Sequence, residues 1–466
     1  MNGALLRFYH RLPAPMRSAA ASLRGFYIRS WRYGPDSERL VEEALERERW
    51  DSRRWKTWQD EKLAFVLNRA ATRVPYYREQ WAIRRRRGDR ASWEYLENWQ
   101  ILEKESVRQN STAFVADDCN VHMMFHEHTS GTTGKPLDLW WSRKAVQMWY
   151  ALFEARCRRW YGVTRKDRWA ILGGQLITSI DDRQPPFWVW NAALNQLYMS
   201  SYHLAPDLIP HYLNAIKRYR IKYVFGYASS LYALAQEVLH LRRNDLESTV
   251  AITNAEPLFD YQREKISAAF QCPVRETYGM AEIVAAGSEC TGGQLHLWPE
   301  VGWVEVFDGL ARVDDGTPGD FVCTGLLNED MPLIRYRLGD RGALPVVVRK
   351  LCICGRNLPT LASLEGRSDD VLYTSDGRSI GRLDPVFKAQ LPLREAQIIQ
   401  ESLDRIRVRY VPGPGFTSGT GRSIVDQLRA HMGTVEVVLE QVDAVPRDPN
   451  GKFRAVINTM HMSSRT

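Results

Sequence analysis

The stretch His128-Thr-Ser-Gly-Thr-Thr-Gly-Lys-Pro136 decides how the rest of the chain is read. Between Thr129 and Lys135 it packs four hydroxyls (Thr129, Ser130, Thr132, Thr133), two glycines (Gly131, Gly134) and a cation into seven positions. Glycine lets backbone N–H groups approach a polyphosphate, hydroxyls add donors, and lysine neutralises charge. It is not a Walker loop, because its glycines stand too close together and Pro136 follows the lysine. A merely flexible polar loop has no need of this density of donors. The stretch therefore reads as a phosphate-binding loop, and the chain around it should supply a fold that presents one.

Downstream, Trp169-Ala-Ile-Leu172 running into Gly173-Gly174, Ile221-Lys-Tyr-Val-Phe225 before Gly226, and Val250-Ala-Ile-Thr253 read as short buried strands. Leu231, Leu234, Ala235, Val238 and Leu239 share one helical face behind a cap at Ser229 or Ser230. Residues 261–270 predict another helix before Val274-Arg-Glu-Thr277. Strand and helix in alternation predict a parallel sheet with crossover helices. After Trp298 the pattern turns hairpin-like, through Trp303-Val-Glu-Val-Phe307 and a turn at Asp308-Gly309 to Phe321-Val-Cys323. Beyond Gly366, Arg405-Ile-Arg-Val-Arg-Tyr-Val411 alternates as a half-buried strand, residues 424–432 read as helix and 434–439 as strand.

The expected fold class is α/β, with a large N-terminal domain of mixed and parallel sheets and helices, and a small mobile C-terminal α/β domain. Residues 1–120 form the helical, Trp-rich part of the large domain, 121–366 its core, and 367–466 the small lid. At 466 residues two or more domains are the default. A hydrophobic content of 44% with 25% charged residues excludes wholesale disorder. The net charge of +8 suits anionic partners. Its arginines are spread along the chain, however; the run at 84–87 reads as a solvated helix face or loop and the segment from Arg156 to Tyr161 as an amphipathic helix, so no nucleic-acid partner is expected. The longest uncharged stretch, from Gln184 to Pro206, holds Gln, Asn, Ser, His and Pro and will not span a bilayer. Without a secretory leader, and with seven cysteines, the expectation is a cytoplasmic protein with reduced thiols. Leu5, Leu6, Phe8 and Tyr9 sit among cations, so this segment either packs on its own domain or associates weakly with a membrane surface.

Cys352-x-Cys354-Gly forms a second constellation, with Cys290-x5-His296 as its natural partner. Three cysteines and a histidine make a tetrahedral zinc set with no open position, hence a structural role. The alternative is four unrelated residues whose thiols are buried as small apolar groups.

The loop at 128–136 resembles the signature loop of the adenylate-forming superfamily of acyl-CoA synthetases and related ligases, and further matches follow in order as far as residue 454. Asn254-Ala255-Glu256-Pro257 resembles its adenine-contacting turn. Glu276-Thr-Tyr278-Gly279-Met-Ala-Glu282 resembles the block in which an aromatic residue packs on adenine and the last glutamate helps hold magnesium. Tyr336-Arg-Leu-Gly-Asp340 is similar to the block whose aspartate grips the ribose hydroxyls. Gly366-Arg367-Ser-Asp369-Asp370 resembles the inter-domain hinge, pivoting at Asp369, and Gly451-Lys452-Phe-Arg454 the lysine loop. Within the superfamily, Val74-Pro-Tyr-Tyr-Arg78, the Asn254 turn, His296-Leu-Trp-Pro-Glu300 and the cysteine pattern resemble phenylacetate–CoA ligase-like proteins, particularly a branch associated with capsular polysaccharide genes. Some members of that family are similar in carrying a structural zinc.

The resemblance implies the adenylate-forming enzyme fold and a two-step ligase using ATP and Mg2+, with Lys452 and Glu282 as catalytic residues. A small carboxylic acid becomes an acyl-adenylate, and the lid then swings to admit a thiol, coenzyme A. The chemistry suits the residues. A carboxylate attacking the α-phosphorus meets repulsion, so magnesium on Glu282 and the Lys452 cation belong there. Asp340 can accept two bonds from a ribose diol, Arg367 can donate to ribose or phosphate, and Tyr278 offers a flat face to adenine. Strand ends near Gly173, Gly226, Tyr227 and Asn254 should converge on the acyl pocket, with the 188–190 region as a further wall, suiting an aromatic or medium-sized apolar acid. Three rivals stay open: an amine or hydroxyl acceptor on a sugar precursor, an enzyme that stops at adenylyl transfer, and a non-catalytic nucleotide-binding scaffold. Retention of both Lys452 and Glu282 argues against the last. A homodimer is an expectation at family level only.

Overall fold

The described residues of the N-terminal hundred are mainly helical, with α1 (Ala14–Arg32), α2 (Ser37–Arg47), α3 (Ser52–Arg73) and α4 (Pro75–Arg86) as the long helices. The computed structural model describes residues 8–129, 137–175, 177–179, 182–346, 352–367, 372–374, 379–380, 391–447 and 453–460. Asp51 caps α3 by accepting the N–H of Arg54 at 2.7 Å. Pro75 then ends α3 and opens α4, because its ring fits the first turn of a helix and clashes in the interior. Among the tryptophans of this region, Trp31, Trp55, Trp81 and Trp99 are buried.

A short helix, α5 (Lys104–Gln109), precedes an antiparallel hairpin of β1 (Phe125–His128) and β2 (Asp138–Trp141), and α6 (Arg143–Cys157) follows. The stretch 128–136 joins the two hairpin strands. Its base is closed by Thr129 N–H on the Leu137 carbonyl at 3.0 Å and Leu137 N–H on Thr129 Oγ1 at 2.9 Å.

The main sheet comprises β3 (Trp169–Gly173), β4 (Trp188–Asn191), β5 (Gln196–Ser200), β6 (Tyr223–Tyr227), β7 (Val250–Asn254), β8 (Val274–Gly279), β9 (Ala286–Glu289) and β10 (Leu295–Leu297), in the spatial order β10-β9-β8-β7-β6-β3-β5-β4. Its centre is parallel, as strand–helix alternation predicts, with crossovers through α7 (Ile209–Arg218), α8 (Ala228–His240) and α9 (Asp260–Phe270). Both margins are antiparallel, β4 at one and β9 with β10 at the other. Two local expectations are corrected. Gly226 lies inside β6 rather than after it, where a Cβ would meet the Leu172 carbonyl oxygen at 3.0 Å. α8 starts at Ala228 with no side-chain cap, and Ser229 instead directs its N–H (2.9 Å) and hydroxyl (3.1 Å) to Glu256.

An antiparallel sheet follows, built from β11 (Gly302–Asp308), β12 (Ala311–Arg312), β13 (Gly319–Gly325), β14 (Tyr336–Ala343) and β15 (Ser363–Arg367), ordered β12-β11-β13-β14-β15. The chain ends in a small pair, β16 (Leu372–Tyr373) and β17 (Ser379–Ile380), and a sheet of β18 (Leu393–Ser402), β19 (Arg405–Pro412), β20 (Glu436–Gln441) and β21 (Val456–Asn458) packed with α10 (Ser418–Met432). Ile398, Ile406, Val408, Ile424 and Leu428 give that unit its own core.

One polar knot ties the large unit together. Arg156 of α6 is fully buried and donates to both oxygens of Glu300 at 2.8 Å and to Glu48 at 3.3 Å. Arg47 reaches Glu300 at 3.0 Å, and Arg356 reaches Glu48 at 2.9 Å. Burial alone would raise the Glu300 pKa, but Arg156 and Arg47 offset it and hold the carboxyl below its ordinary value.

Candidate active site

A cavity of about 680 Å3 opens at the carboxyl ends of β6, β7 and β8, where open α/β sheets present ligand sites. Tyr227 ends β6, Asn254 ends β7, and Tyr278 and Gly279 end β8, so one sheet edge delivers four of the residues singled out from sequence. Thr129, Ala255, Glu256, Glu282 and Asp340 line the same cavity. Gly226 does not, because it is pressed against Leu172 within the sheet. The 188–190 segment is also excluded from the wall: Trp188 packs on Tyr212 and Trp190 stacks on Tyr219 at the sheet margin. Ser130, Gly131, Thr132, Thr133, Gly134, Lys135, Asp369 and Lys452 lie outside the described residues.

Three arrangements define the chemistry. The first is Glu282, nearly buried, which accepts from Lys104 Nζ at 3.0 Å and from the Tyr336 hydroxyl at 3.1 Å. Its carboxylate thus already sits opposite a cation, on the cavity wall. The second is the Tyr278 hydroxyl, which donates to Asp340 Oδ2 at 2.9 Å. Antiparallel register places Arg367 directly across from Asp340. Burial, with the Asp340 charge beside it, pushes the Tyr278 phenol well above its ordinary pKa, so it remains a donor.

The third is Glu256. Ala255 adopts φ 61°, a left-handed conformation that costs a residue with a Cβ and is found where surrounding structure enforces it. The turn directs Glu256 to Ser229 and, from the C-terminal unit, to the N–H of Phe453 at 2.7 Å. Phe453, Arg454, Ala455 and Val456 complete the cavity wall, and Phe453 is the residue that follows Lys452 in the chain.

The remaining wall is aromatic. Trp149 lies so close to Gly279 that a Cβ there would come within 3.4 Å of its ring, and it contacts Trp298 (5.5 Å between centroids) and Trp141 (6.1 Å). Phe153 meets Phe225 at 5.7 Å. Sequence reading missed Trp141, Trp149 and Phe153 in this lining, together with Lys104 and Arg108, because these residues come from α5, α6 and β2, none of which carries a motif. His126 bonds Asp138 at 2.7 Å and stacks on Trp140, while His128 lines the cavity at the foot of the loop.

Away from this cavity, the ligand atoms of Cys290, His296, Cys352 and Cys354 lie within 4.8 Å of one another. Cys290 and Cys352 Sγ are 3.5 Å apart, far beyond a disulfide bond, and Cys354 Sγ is 3.4 Å from His296 Nε2. A tetrahedron with zinc–sulfur bonds of about 2.3 Å and zinc–nitrogen bonds of about 2.0–2.1 Å has edges of roughly 3.5–3.8 Å, so these donors need little movement to close on an ion. The Leu358 carbonyl accepts from His296 Nδ1 at 3.0 Å, which turns Nε2 inward as the free ligand. Burial also depresses the His296 pKa, favouring the neutral, metal-binding imidazole.

Comparison with known proteins bears directly on this geometry. Residues 372–459, spanning β16 to β21, match the CapK C-terminal domain family model. Over 377 residues the chain is 25% identical to Protein CapK of Staphylococcus aureus, covering 77% of this chain and 79% of that protein. It is also 25% identical over 330 residues to the phenylacetate–coenzyme A ligase of Pseudomonas putida, covering 67% of this chain and 71% of the ligase. The chain is thus similar to CapK and to phenylacetate–CoA ligases over most of its length, and its C-terminal unit to the CapK C-terminal domain. The fold agrees: a 2-hydroxyisobutyryl-CoA ligase solved in the postadenylation state with R3-HIB-AMP superposes with a TM-score of 0.66 at 19% identity, covering 90% of this chain and 92% of that one. The mixed α/β architecture is therefore the one the motifs predict.

Proposed function

We propose that the enzyme activates a small carboxylic acid with ATP as an acyl-adenylate and then transfers the acyl group to a thiol, coenzyme A. The observation that carries this reading is one cavity walled by Glu282, by the Tyr278–Asp340 pair, and by the segment adjoining Lys452. Adenine rests against Tyr278, and Asp340, with Arg367 across the strand, receives the ribose hydroxyls. Glu282, a hard oxygen donor already facing a cation, suits the magnesium that accompanies ATP and neutralises its phosphates. The loop 129–135 holds the phosphates, and Lys452 meets the charge that develops at the α-phosphate. The aromatic wall formed by Trp149, Phe153, Phe225, Tyr227 and Trp298 favours an acid with an aromatic or other apolar body. Rotation of the C-terminal unit about Asp369 then withdraws Lys452 and admits the thiol.

Pyrophosphate release measured over a panel of acids, with and without coenzyme A, tests this. Acid-dependent release followed by thioester formation is expected. Release that ignores the thiol would instead favour an amine or hydroxyl acceptor, and no acid-dependent release would defeat the proposal.

The support for a structural zinc is the convergence of three thiols and a tautomer-fixed imidazole. Metal analysis should find about one zinc per chain, with Cys352→Ser lowering both zinc content and melting temperature. Zinc-free protein in which all seven thiols titrate freely would rule it out.

A further inference from the structure

A second, smaller cavity lies at the opposite end of the main sheet from the catalytic one. Trp169, which opens β3, and Asn195, just before β5, both line it, so it sits at the amino ends of these parallel strands. The catalytic cavity opens at carboxyl ends, and the two share no lining residue. The last turn of α1 and the segment after α6 close around the smaller cavity, bringing Arg29, Arg32, Arg158, Arg165 and Lys166 into its wall with no Asp or Glu. Like charges gathered in this way repel, and the usual remedy, a carboxylate among them, is missing.

The carboxylates nearby are committed elsewhere. Glu154 accepts from Arg158 Nη1 at 3.0 Å and from the Arg165 N–H at 3.1 Å. Glu38 lies near Arg165 and Lys166 but is bound by Arg159, and Asp167 is bound by Lys222 at 3.0 Å and by the Thr164 N–H at 2.8 Å. Among the described residues, Arg158 is the only one of the five cations with an ion-pair partner. Aromatic rings position the guanidinium groups instead: Arg32 Cζ stands 4.2 Å from the Tyr150 centroid, Arg165 Cζ 4.4 Å from that of Tyr33, and Arg158 Cζ 4.8 Å from that of Phe153. A ring holds a guanidinium by its face and leaves the in-plane N–H donors free for an anion.

Arg158 carries the point furthest. It is 4% exposed, its Nε donates to the Tyr223 hydroxyl at 2.8 Å and its Nη1 to Glu154, while Nη2 has no acceptor among the described residues. A buried donor without an acceptor is costly, and an anion in this pocket would supply one. With Glu154 neutralising Arg158, four positive charges remain uncompensated in the wall, which suits a dianion better than a carboxylate. At about 130 Å3 the cavity is well below the roughly 300–1,000 Å3 of pockets that enclose drug-sized ligands, so it has room for one phosphate group and not for a whole nucleotide. We propose that this pocket binds a phosphate group, either as the free ion or as the end of a larger molecule, and that the bound group bridges α1 to the segment after α6.

Melting curves and calorimetric titration of the full chain with inorganic phosphate test this independently of any ligase activity. Relative to sodium chloride at matched ionic strength, about 10 mM phosphate should raise the melting temperature by about 1–3 °C. Glycerol 3-phosphate separates the two sources: a rise with both ligands assigns the pocket to the phosphate end of a larger molecule, and a rise with inorganic phosphate alone to the free ion. Arg32→Gln/Lys166→Ala should bind phosphate at least about tenfold more weakly. Lys135→Ala, in the loop proposed to hold the phosphates of ATP, should keep the response. Lys166→Glu, altered at an exposed position, puts a carboxylate where the anion would sit, so it should keep or raise the phosphate-free melting temperature and lose the response. The proposal fails if neither ligand acts beyond matched chloride, or if Lys135→Ala abolishes the response. It also fails if the response survives in Arg32→Gln/Lys166→Ala or in Lys166→Glu.

Discussion

The two sides of the cavity are held by different means. On the sheet side, Tyr227, Asn254 and Tyr278 end strands hydrogen-bonded in continuous register, and the large unit behind them is tied by fully buried Arg156 to Glu300 and Glu48. On the other side, Phe453 meets the large unit through its N–H on Glu256, a carboxylate at a turn that Ala255 holds in a left-handed conformation. The first arrangement cannot be loosened without exposing paired charges, while the second can part by moving one hydrogen-bonded segment. That contrast suits the proposed lid, which would need one wall to hold the nucleotide and one segment able to leave.

The sharpest way to break the contrast is to attack the fixed side. Arg156→Met would leave Glu300 and Glu48 with fewer cations inside the fold, and unfolding in denaturant should show a loss of about 3–5 kcal/mol. A loss below about 1 kcal/mol would mean that surface-like energetics govern the knot and that packing alone fixes this side. Linkage gives a second signature. Because the Glu300 pKa lies below its ordinary value of 4.5, its contribution is fully present above that value and is lost as pH falls through the depressed one. The variant should lack this part of the acid loss.

The C-terminal side is probed by Lys452→Ala. Acid-dependent ATP–pyrophosphate exchange should fall by about 10²–10³-fold, the scale set by removing one preorganised group that meets developing charge. Thioester formation from supplied acyl-adenylate should change far less, since the proposed rotation withdraws the lysine for that step. Equal loss in both half-reactions would contradict the division of labour between the two walls.

Much of the fixed side was legible because its signals are local. Apolar runs ending in glycine marked β3 and β6, and the ordered blocks at Asn254, Tyr278 and Asp340 fell on one cavity. What escaped notice is what distant segments bring together. β9 and β10 are too short for a periodic signal, and β18, with its sequence Leu-Arg-Glu-Ala-Gln, carries residues that favour helices. Ser229 looked like a helix cap from its position, yet its donors serve a glutamate 27 residues away. The tryptophans at 188 and 190 looked like pocket walls, but an antiparallel margin strand places them against Tyr212 and Tyr219. Lys104 had no motif around it, and only the fold sets it against Glu282.

That lysine gives the next test. Lys104→Ala should leave Glu282 with the Tyr336 hydroxyl but without its cation, raising the KM for Mg–ATP by about tenfold, in keeping with loss of one charge-assisted bond. Lys104→Arg should recover part of this. If both variants leave the nucleotide KM unchanged, Lys104 is a support for Glu282 alone, and the fixed wall ends at the sheet.

The smallest effect is expected at the junction itself. Burial raises the Glu256 pKa above 4.5, while the N–H groups of Phe453 and Ser229 pull it back only in part. For a carboxyl whose folded value is raised, the stabilising contribution is fully present below 4.5 and disappears as pH rises through the raised value. The parent enzyme should therefore lose melting temperature between that point and neutrality relative to Glu256→Gln, which cannot ionise. Because the glutamine oxygen still accepts the N–H of Phe453, the adenylation rate of the variant should fall by less than about tenfold. Melting curves of the two proteins that run parallel across this range would show that Glu256 does not titrate at the contact. The proposed departure of the C-terminal unit would then have to be eased by the segments flanking Lys452 rather than by a buried charge.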